Sequence, residues 1–223
     1  MDFKFQQFRE LVLDHFPDHI DPIPQPDIKD IVSSPFKEEV KEVYASLGGK
    51  ADFRKIRLPQ WPITLDQNTV VFLDDQLHFN RYRMRTLRAE IYQQNYIGFK
   101  VEKYRSYSRK KEAECLKSGV TDRSWTHKAA EVNFGPGSET RGDLQGEGAP
   151  AWKFNAFVDY LLDLYLPLKQ IMVIRISIWD ELMIGGRLVT IKEILTAPNP
   201  QWNEALVNYL KRRMPWLPER NRI

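Results

Sequence analysis

The chain has 223 residues, 42% hydrophobic and 12% aromatic, with a formal net charge of +3. That composition supports a folded core and excludes a disordered or low-complexity chain. No stretch approaches the roughly 18 consecutive apolar residues that a bilayer-crossing helix needs, so a membrane protein is not expected. The first element, DFKFQQFRELVLDHF, has the periodicity of an amphipathic helix with Phe5, Phe8, Leu11, Val12 and Phe16 on one side, and it lacks a signal-peptide core. The expectation is a soluble, cytoplasmic protein. DPIPQPD is a proline-rich break. SSPFKEEVKEVYASLGG then predicts a helix with Ser33 or Ser34 as cap, Pro35 in the first turn and Gly48–Gly49 as the stop.

ADFRKIRL has the alternation of a strand. WPITLDQNTVVFLDD predicts a hairpin, with LDQN as its turn and VVFL as a buried strand. HFNRYRMRTLRAEIYQQ and VEKYRSYSRKKEAECLKSG each predict a helix, the second ending at Gly119. The glycine-rich run NFGPGSETRGDLQGEGAP lacks the Gly-Lys-Ser/Thr ending of a phosphate-cradling loop, and it is expected to be a long mobile loop or a flexible connection. WKFNAFVDYLLDLY is a helix with a strong apolar face. IMVIRISIW is the best strand in the chain, and IKEILTA and WNEALVNYLKRRMPWL are helical. This order predicts an α/β (or α+β) fold, a mixed sheet flanked by helices. We expect a single domain over 1–223, with an N-terminal helical segment (1–34) and a sheet core formed by 35–88 and 152–182. A basic helical and loop insertion (89–151) and C-terminal helices (183–223) complete it.

Charge is distributed unevenly. Residues 1–77 hold 9 Lys and Arg against 14 Asp and Glu, residues 78–128 hold 13 against 5, and residues 129–223 hold 11 of each. A central segment at net +8 points either to a polyanionic partner or to solvated helix faces. The lone cysteine, Cys115, excludes an intrachain disulfide and is expected to be a small buried apolar residue. Zinc finds no ligand set. His15 and His19 have the spacing of a helical pair, but Pro17 between them breaks the helix.

Chemistry concentrates in TVVFLDDQLHFNRYRMRTLR. Asp74 and Asp75 close the strand, and His78, Arg81, Arg85 and Arg88 fall on one stripe of the following helix at 100° per residue. Phe79, Met84, Leu87 and Ile91 fall on the opposite arc together with Arg83, whose head must escape to solvent or meet a carboxylate such as Asp74. Phosphodiester hydrolysis would need a metal held by Asp74 and a second carboxylate, with His78 as proton donor or water-orienting group and the arginines on phosphate. Equally, Asp75 could cap the helix, with His78 as a first-turn polar residue and the arginines solvated.

The run VVFLDDQLHFNRYR resembles a strand motif of the very-short-patch-repair endonucleases in the PD-(D/E)xK, restriction-endonuclease-like superfamily. In those proteins an apolar strand ends in Glu-x-Asp-Gly and a histidine follows. WKFNAFVDYLLD leading into VIRISIWDEL is similar to their later helix and Val-x-Arg-hydrophobic-Trp strand. The resemblance covers 35–88 and 152–182 and implies a Mg²⁺-dependent endonuclease acting on DNA or RNA. It implies Asp74, His78 and Glu39 (with Glu38 or Glu42 as the alternative helix acid) as catalytic groups, and Asp74, Asp75 and Asp52 as metal ligands. Arg81, Arg85, Arg88 and Lys153 would hold phosphate. The chain departs from the pattern at its chemistry, because Phe72 stands at the Glu position and Asp75 at the Gly position. Asp52 and Asp66 are the candidates for the upstream aspartate, and no lysine occupies a motif position. The alternative is a non-catalytic member of that fold that binds nucleic acid or protein through its basic segment. Trp152 and Trp179 are expected in the core, Asp180–Glu181 in a turn, and the basic KRRMPWLPERNR as a frayed tail.

Overall fold

A computed structural model describes residues 3–16, 25–59, 62–66, 68–93 and 98–214. Along the chain, α1 (Phe3–His15) buries Phe8, Leu11 and Val12, as its periodicity dictates. Asp27 accepts from the Lys29 amide and so starts α2 (Ile28–Val32). The serines do not cap the next helix. Ser33 closes α2, Ser34 turns its hydroxyl onto the Ile31 carbonyl, and α3 (Lys37–Ser46) starts only after them. The expected strand at ADFRKIRL is a short 3-10 turn, Phe53–Lys55, capped by the Asp52 carboxylate. The predicted hairpin is present: β1 (Ile63–Asp66) runs antiparallel to β2 (Thr69–Asp74).

The helix expected over HFNRYRMRTLRAEIYQQ is three pieces. A 3-10 turn spans Gln76–His78, α4 spans Arg81–Thr86, and a second 3-10 turn spans Glu90–Gln93. Asn80 causes the first break. Its carboxamide oxygen accepts from the Tyr82 and Arg83 amides while its NH₂ donates to the Leu77 carbonyl at 2.8 Å. A side chain that satisfies the orphan donors of a new helix ends the previous turn. The next expected helix is also split, into α5 (Val101–Lys110) and α6 (Glu112–Gly119), around Lys111. Then follow α7 (Asp122–Trp125), α8 (Lys128–Phe134) and the long α9 (Pro150–Leu168). After β3 (Met172–Ser177), a hairpin that the sequence reading missed, β4 (Glu181–Ile184) and β5 (Arg187–Thr190), turns at Gly185–Gly186. A capping box between Thr190 and Glu193 begins α10 (Ile191–Thr196), and Asn199 caps α11 (Pro200–Lys211).

The chain divides into two compact units. The first contains residues 1–25, 61–74 and 170–223. Its three-stranded sheet has the order β1-β2-β3, antiparallel then parallel, so the fold is mixed α/β. Register sorts the sheet into two faces. Val71 and Leu73 of β2 lie with Ile174 and Ile176 of β3 in the core formed with α1, α10 and α11. The opposite face carries Phe72 and Asp74 beside Arg175 and Ser177, all buried. There Arg175 donates to Asp74 Oδ1 at 2.8 Å, and its guanidinium lies 4.4 Å from the centroid of the Phe72 ring. Asp180 sits in the turn after β3, accepting from the Ser177 amide and the Tyr209 hydroxyl, and Glu181 opens β4. Trp179 is half-buried rather than in the core, with the Lys192 ammonium 5.2 Å from its ring centroid. The start of the basic C-terminal stretch is anchored: Arg213 donates to the Arg175 carbonyl at 2.8 Å and stacks on Tyr209. Residues 215–223 lie outside the described residues.

The second unit contains residues 26–60 and 75–169 and is built on α9. Phe157 and Tyr160 of α9 meet Tyr44, Phe53 and Phe134 in an aromatic cluster, with Tyr44 and Phe157 centroids 4.9 Å apart. Trp152 is buried as expected, edge-on to Trp125. The glycine-rich segment after α8 is closed at its neck rather than open, because Ser138 and Gly148 exchange backbone and hydroxyl hydrogen bonds. Gly148 holds a φ of +71°, and a Cβ there would fall 1.9 Å from the Tyr82 hydroxyl oxygen, so no other residue fits.

Candidate functional site

The arginine spacing on and just beyond α4 builds a cleft in the second unit. Arg81, Met84, Arg85 and Arg88 line one side, and Ser108, Arg109 and Glu112 of α5 and α6 the other, around a volume of about 360 Å³. Helical spacing brings Arg81 and Arg85 together, and Arg88 joins them from the turn that follows Thr86. Arg109 was not foreseen, since its arrival depends on how α5 packs against α4. Four cations face one carboxylate. That carboxylate, Glu112, is committed to Arg81 through two parallel hydrogen bonds at 2.9 and 2.8 Å and also accepts the Arg81 amide. Glu112 in turn holds the Arg81 guanidinium above its usual pKa. Arg85 donates to the Ser46 carbonyl. Arg88 and Arg109 are exposed, and their guanidinium groups have no ion-pair or hydrogen-bond partner among the described residues. Lys153 lies near this group: it reaches over the Tyr82 ring at 5.7 Å, and burial, reinforced by Lys50 and Arg85, pulls its ammonium below the usual pKa, with Glu147 opposing.

The single stripe His78–Arg81–Arg85–Arg88 is not one helix face, because His78 lies in the 3-10 turn before Asn80. Its environment is specific nonetheless. Asp75 caps that turn by accepting the Leu77 amide at 2.8 Å, and the same Oδ1 lies 3.0 Å from His78 Nδ1. A carboxylate can only accept, so Nδ1 carries a proton and donates it to Asp75. His78 Nε2 faces Asp159 Oδ2 of α9 at 3.9 Å. His78 and Asp159 can each offer one ligand atom to a metal.

Other foreseen residues have structural partners. Arg83 does meet a carboxylate, but it is Asp163, not Asp74: Nη2 lies 2.7 Å from Oδ2, and the Tyr92 hydroxyl donates to that same oxygen at 2.7 Å while accepting from Arg83 Nη1 at 3.0 Å. Arg83 and Asp163 are each essentially inaccessible, so one charge balances the other in a dry interior. Met84 faces the cleft, while Phe79, Leu87 and Ile91 are buried as the arc predicts. Asp74, in the first unit, is committed to Arg175, and Phe72 supplies the ring beneath that guanidinium. Glu39 accepts the Glu90 and Ile91 amides and so caps a 3-10 turn; partial burial raises its pKa against those two bonds. Asp52 pairs with Arg54 at 2.7 Å, and that partner lowers its pKa. Asp66 closes β1. Cys115 is buried, and desolvation pushes its thiol up to about 12.

The sequence reading missed Asp159 and Asp163. Two carboxylates four residues apart inside an apolar helix fall on one face, and that spacing alone could have identified paired buried acids. No helix among the described residues is long and apolar enough to cross a membrane. Residues 42–197, more than half of the chain, match a family of unknown function, DUF7255, and the chain belongs to that family. The match takes in the arginine cleft, Asp75, His78 and Asp159 but not Glu39 or Arg213. Neither a curated protein nor a solved structure matches the chain.

Proposed function

We propose that this DUF7255 protein binds a polyanion, the phosphate backbone of DNA or RNA, in the cleft lined by Arg81, Arg85, Arg88 and Arg109. The observation that carries the reading is the charge balance of that cleft: among the described residues, four guanidinium groups stand against one carboxylate, with Arg88 and Arg109 uncompensated. Guanidinium groups present planar forks of donors that match phosphate oxygens, and an unneutralised cluster gains most from a multiply charged ligand. The net charge of +8 over residues 78–128 supplies attraction at longer range. The test is fluorescence anisotropy of labelled duplex DNA, single-stranded DNA and RNA. Charge reversal at Arg88→Glu and Arg109→Glu should abolish or strongly weaken binding, because neither side chain holds the fold together. Binding unchanged by the double reversal would reject the cleft.

Metal-dependent phosphodiester hydrolysis, with Mg²⁺ as the ion implied by the endonuclease resemblance, is the second reading. What favours it is His78, whose ring Asp75 orients through Nδ1, leaving Nε2 on the Asp159 side as the nitrogen a general base would use. On this reading His78→Ala removes Mg²⁺-dependent cleavage of a nucleic acid that the arginine cleft still binds. What disfavours Asp74 as the ligand is its commitment to Arg175.

A further inference from the structure

We propose that His78 Nε2 and Asp159 form a binding site for a divalent transition-metal ion, with Asp75 as the positioning residue. This site needs no polyanion. The Asp75 carboxylate is fixed by the Leu77 amide at 2.8 Å and therefore presents Oδ1 to His78 Nδ1 in a set direction. This is the arrangement of carboxylate–histidine–metal triads, in which a carboxylate on one ring nitrogen fixes the tautomer and raises the basicity of the other. The other nitrogen here points at Asp159 Oδ2 across 3.9 Å. That separation is too long for a hydrogen bond. Two metal–ligand bonds of about 2.0–2.2 Å each span a gap of this order, and an adjustment of roughly 0.5 Å brings the pair to tetrahedral geometry.

The surroundings select the cation. Asp159 is buried on α9, one turn before Asp163, which is paired with the Arg83 guanidinium. The group facing Asp159 is an imidazole. A mixed nitrogen and oxygen ligand pair suits Zn²⁺, Co²⁺, Mn²⁺ or Ni²⁺, whereas Mg²⁺ and Ca²⁺ favour oxygen alone. His78 is 31% exposed and Asp159 10%, so one side of the site opens to water, which would complete the coordination.

The experiment uses the full chain, freed of metal with a chelator and titrated with Zn²⁺ by calorimetry and with Co²⁺ by visible absorption, without nucleic acid. Saturable uptake of one equivalent, with ligand-field bands of bound Co²⁺, is expected. His78→Ala and the isosteric Asp159→Asn should each abolish it, and Asp75→Asn should weaken it by about 10–100-fold while leaving the stoichiometry unchanged. Circular dichroism establishes that each variant is folded; should Asp159→Asn not fold, His78→Ala decides. No saturable uptake by the native chain, or uptake that His78→Ala leaves unchanged, overturns the assignment.

Discussion

Replacing Asp74 with alanine should cost the fold about 3–5 kcal/mol, the usual penalty for stranding one member of a buried ion pair. Both partners are inside: the side chains of Arg175 and Asp74 are 0% and 1% exposed, and Nη1 and Oδ1 are 2.8 Å apart. Two unit charges whose centres lie about 4 Å apart attract by about 4 kcal/mol at an effective dielectric of about 20, which agrees with that range. The Phe72 ring beneath the guanidinium cannot replace the lost charge, since a cation–π contact contributes only about 0.5–2 kcal/mol and is already present. Urea unfolding followed by tryptophan fluorescence and far-UV circular dichroism measures the change at constant m-value. A companion double variant, Asp74→Leu with Arg175→Met, removes both charges at similar volume and should recover most of the loss. If Asp74→Ala lowers stability by less than about 1 kcal/mol, the carboxylate is not there to balance Arg175.

Three further predictions concern the second unit. Asn80→Ala removes the acceptor for the Tyr82 and Arg83 amides and a buried NH₂ contact to Leu77, so thermal unfolding should show a loss of about 1–2 kcal/mol. Gly148→Ala places a Cβ against the Tyr82 hydroxyl at a φ of +71° and should lower the melting temperature, while Tyr82→Phe in the same chain should return part of it. Cys115 is fully buried with its thiol raised to about 12, so the native protein should resist iodoacetamide at pH 8 and react only at the rate at which it unfolds; prompt labelling would contradict the burial.

Elements whose signal is local were legible in the sequence. The β1–β2 hairpin has the continuous apolar run VVFL after a polar turn, β3 is rich in β-branched residues around Arg175, and α1 and α9 have long periodic apolar faces. The mixed α/β class followed from their order. Failures arose where two local signals compete. Asn80 can continue a polar helix face or cap a new helix, and the cap prevailed because its oxygen meets two otherwise orphaned amides. The alternation in ADFRKIRL suits a strand, but Asp52 accepting the Arg54 amide makes a 3-10 turn instead. The four-residue strands β4 and β5 are too short to show a period, although Gly185–Gly186 marks their turn. In the site, the spacing of Arg81, Arg85 and Arg88 predicted their convergence and the spacing of Asp159 and Asp163 marked paired buried acids, whereas the meeting of Arg109 with the arginines and of Asp159 with His78 depends on packing between sequence-distant elements that no local pattern encodes.

The salt dependence of nucleic-acid binding tests the central claim most directly. With Arg81 neutralised by Glu112 and the other three arginines on phosphate, the logarithm of the duplex-DNA association constant should fall against the logarithm of salt concentration with a slope of about −2.7, from roughly −0.9 per contact. Arg88→Glu with Arg109→Glu should flatten that slope by about 2, one for each lost contact, and weaken binding equally for all sequences. A slope that stays the same in the double variant, or binding that does not depend on salt, would contradict a phosphate-binding role for this cleft.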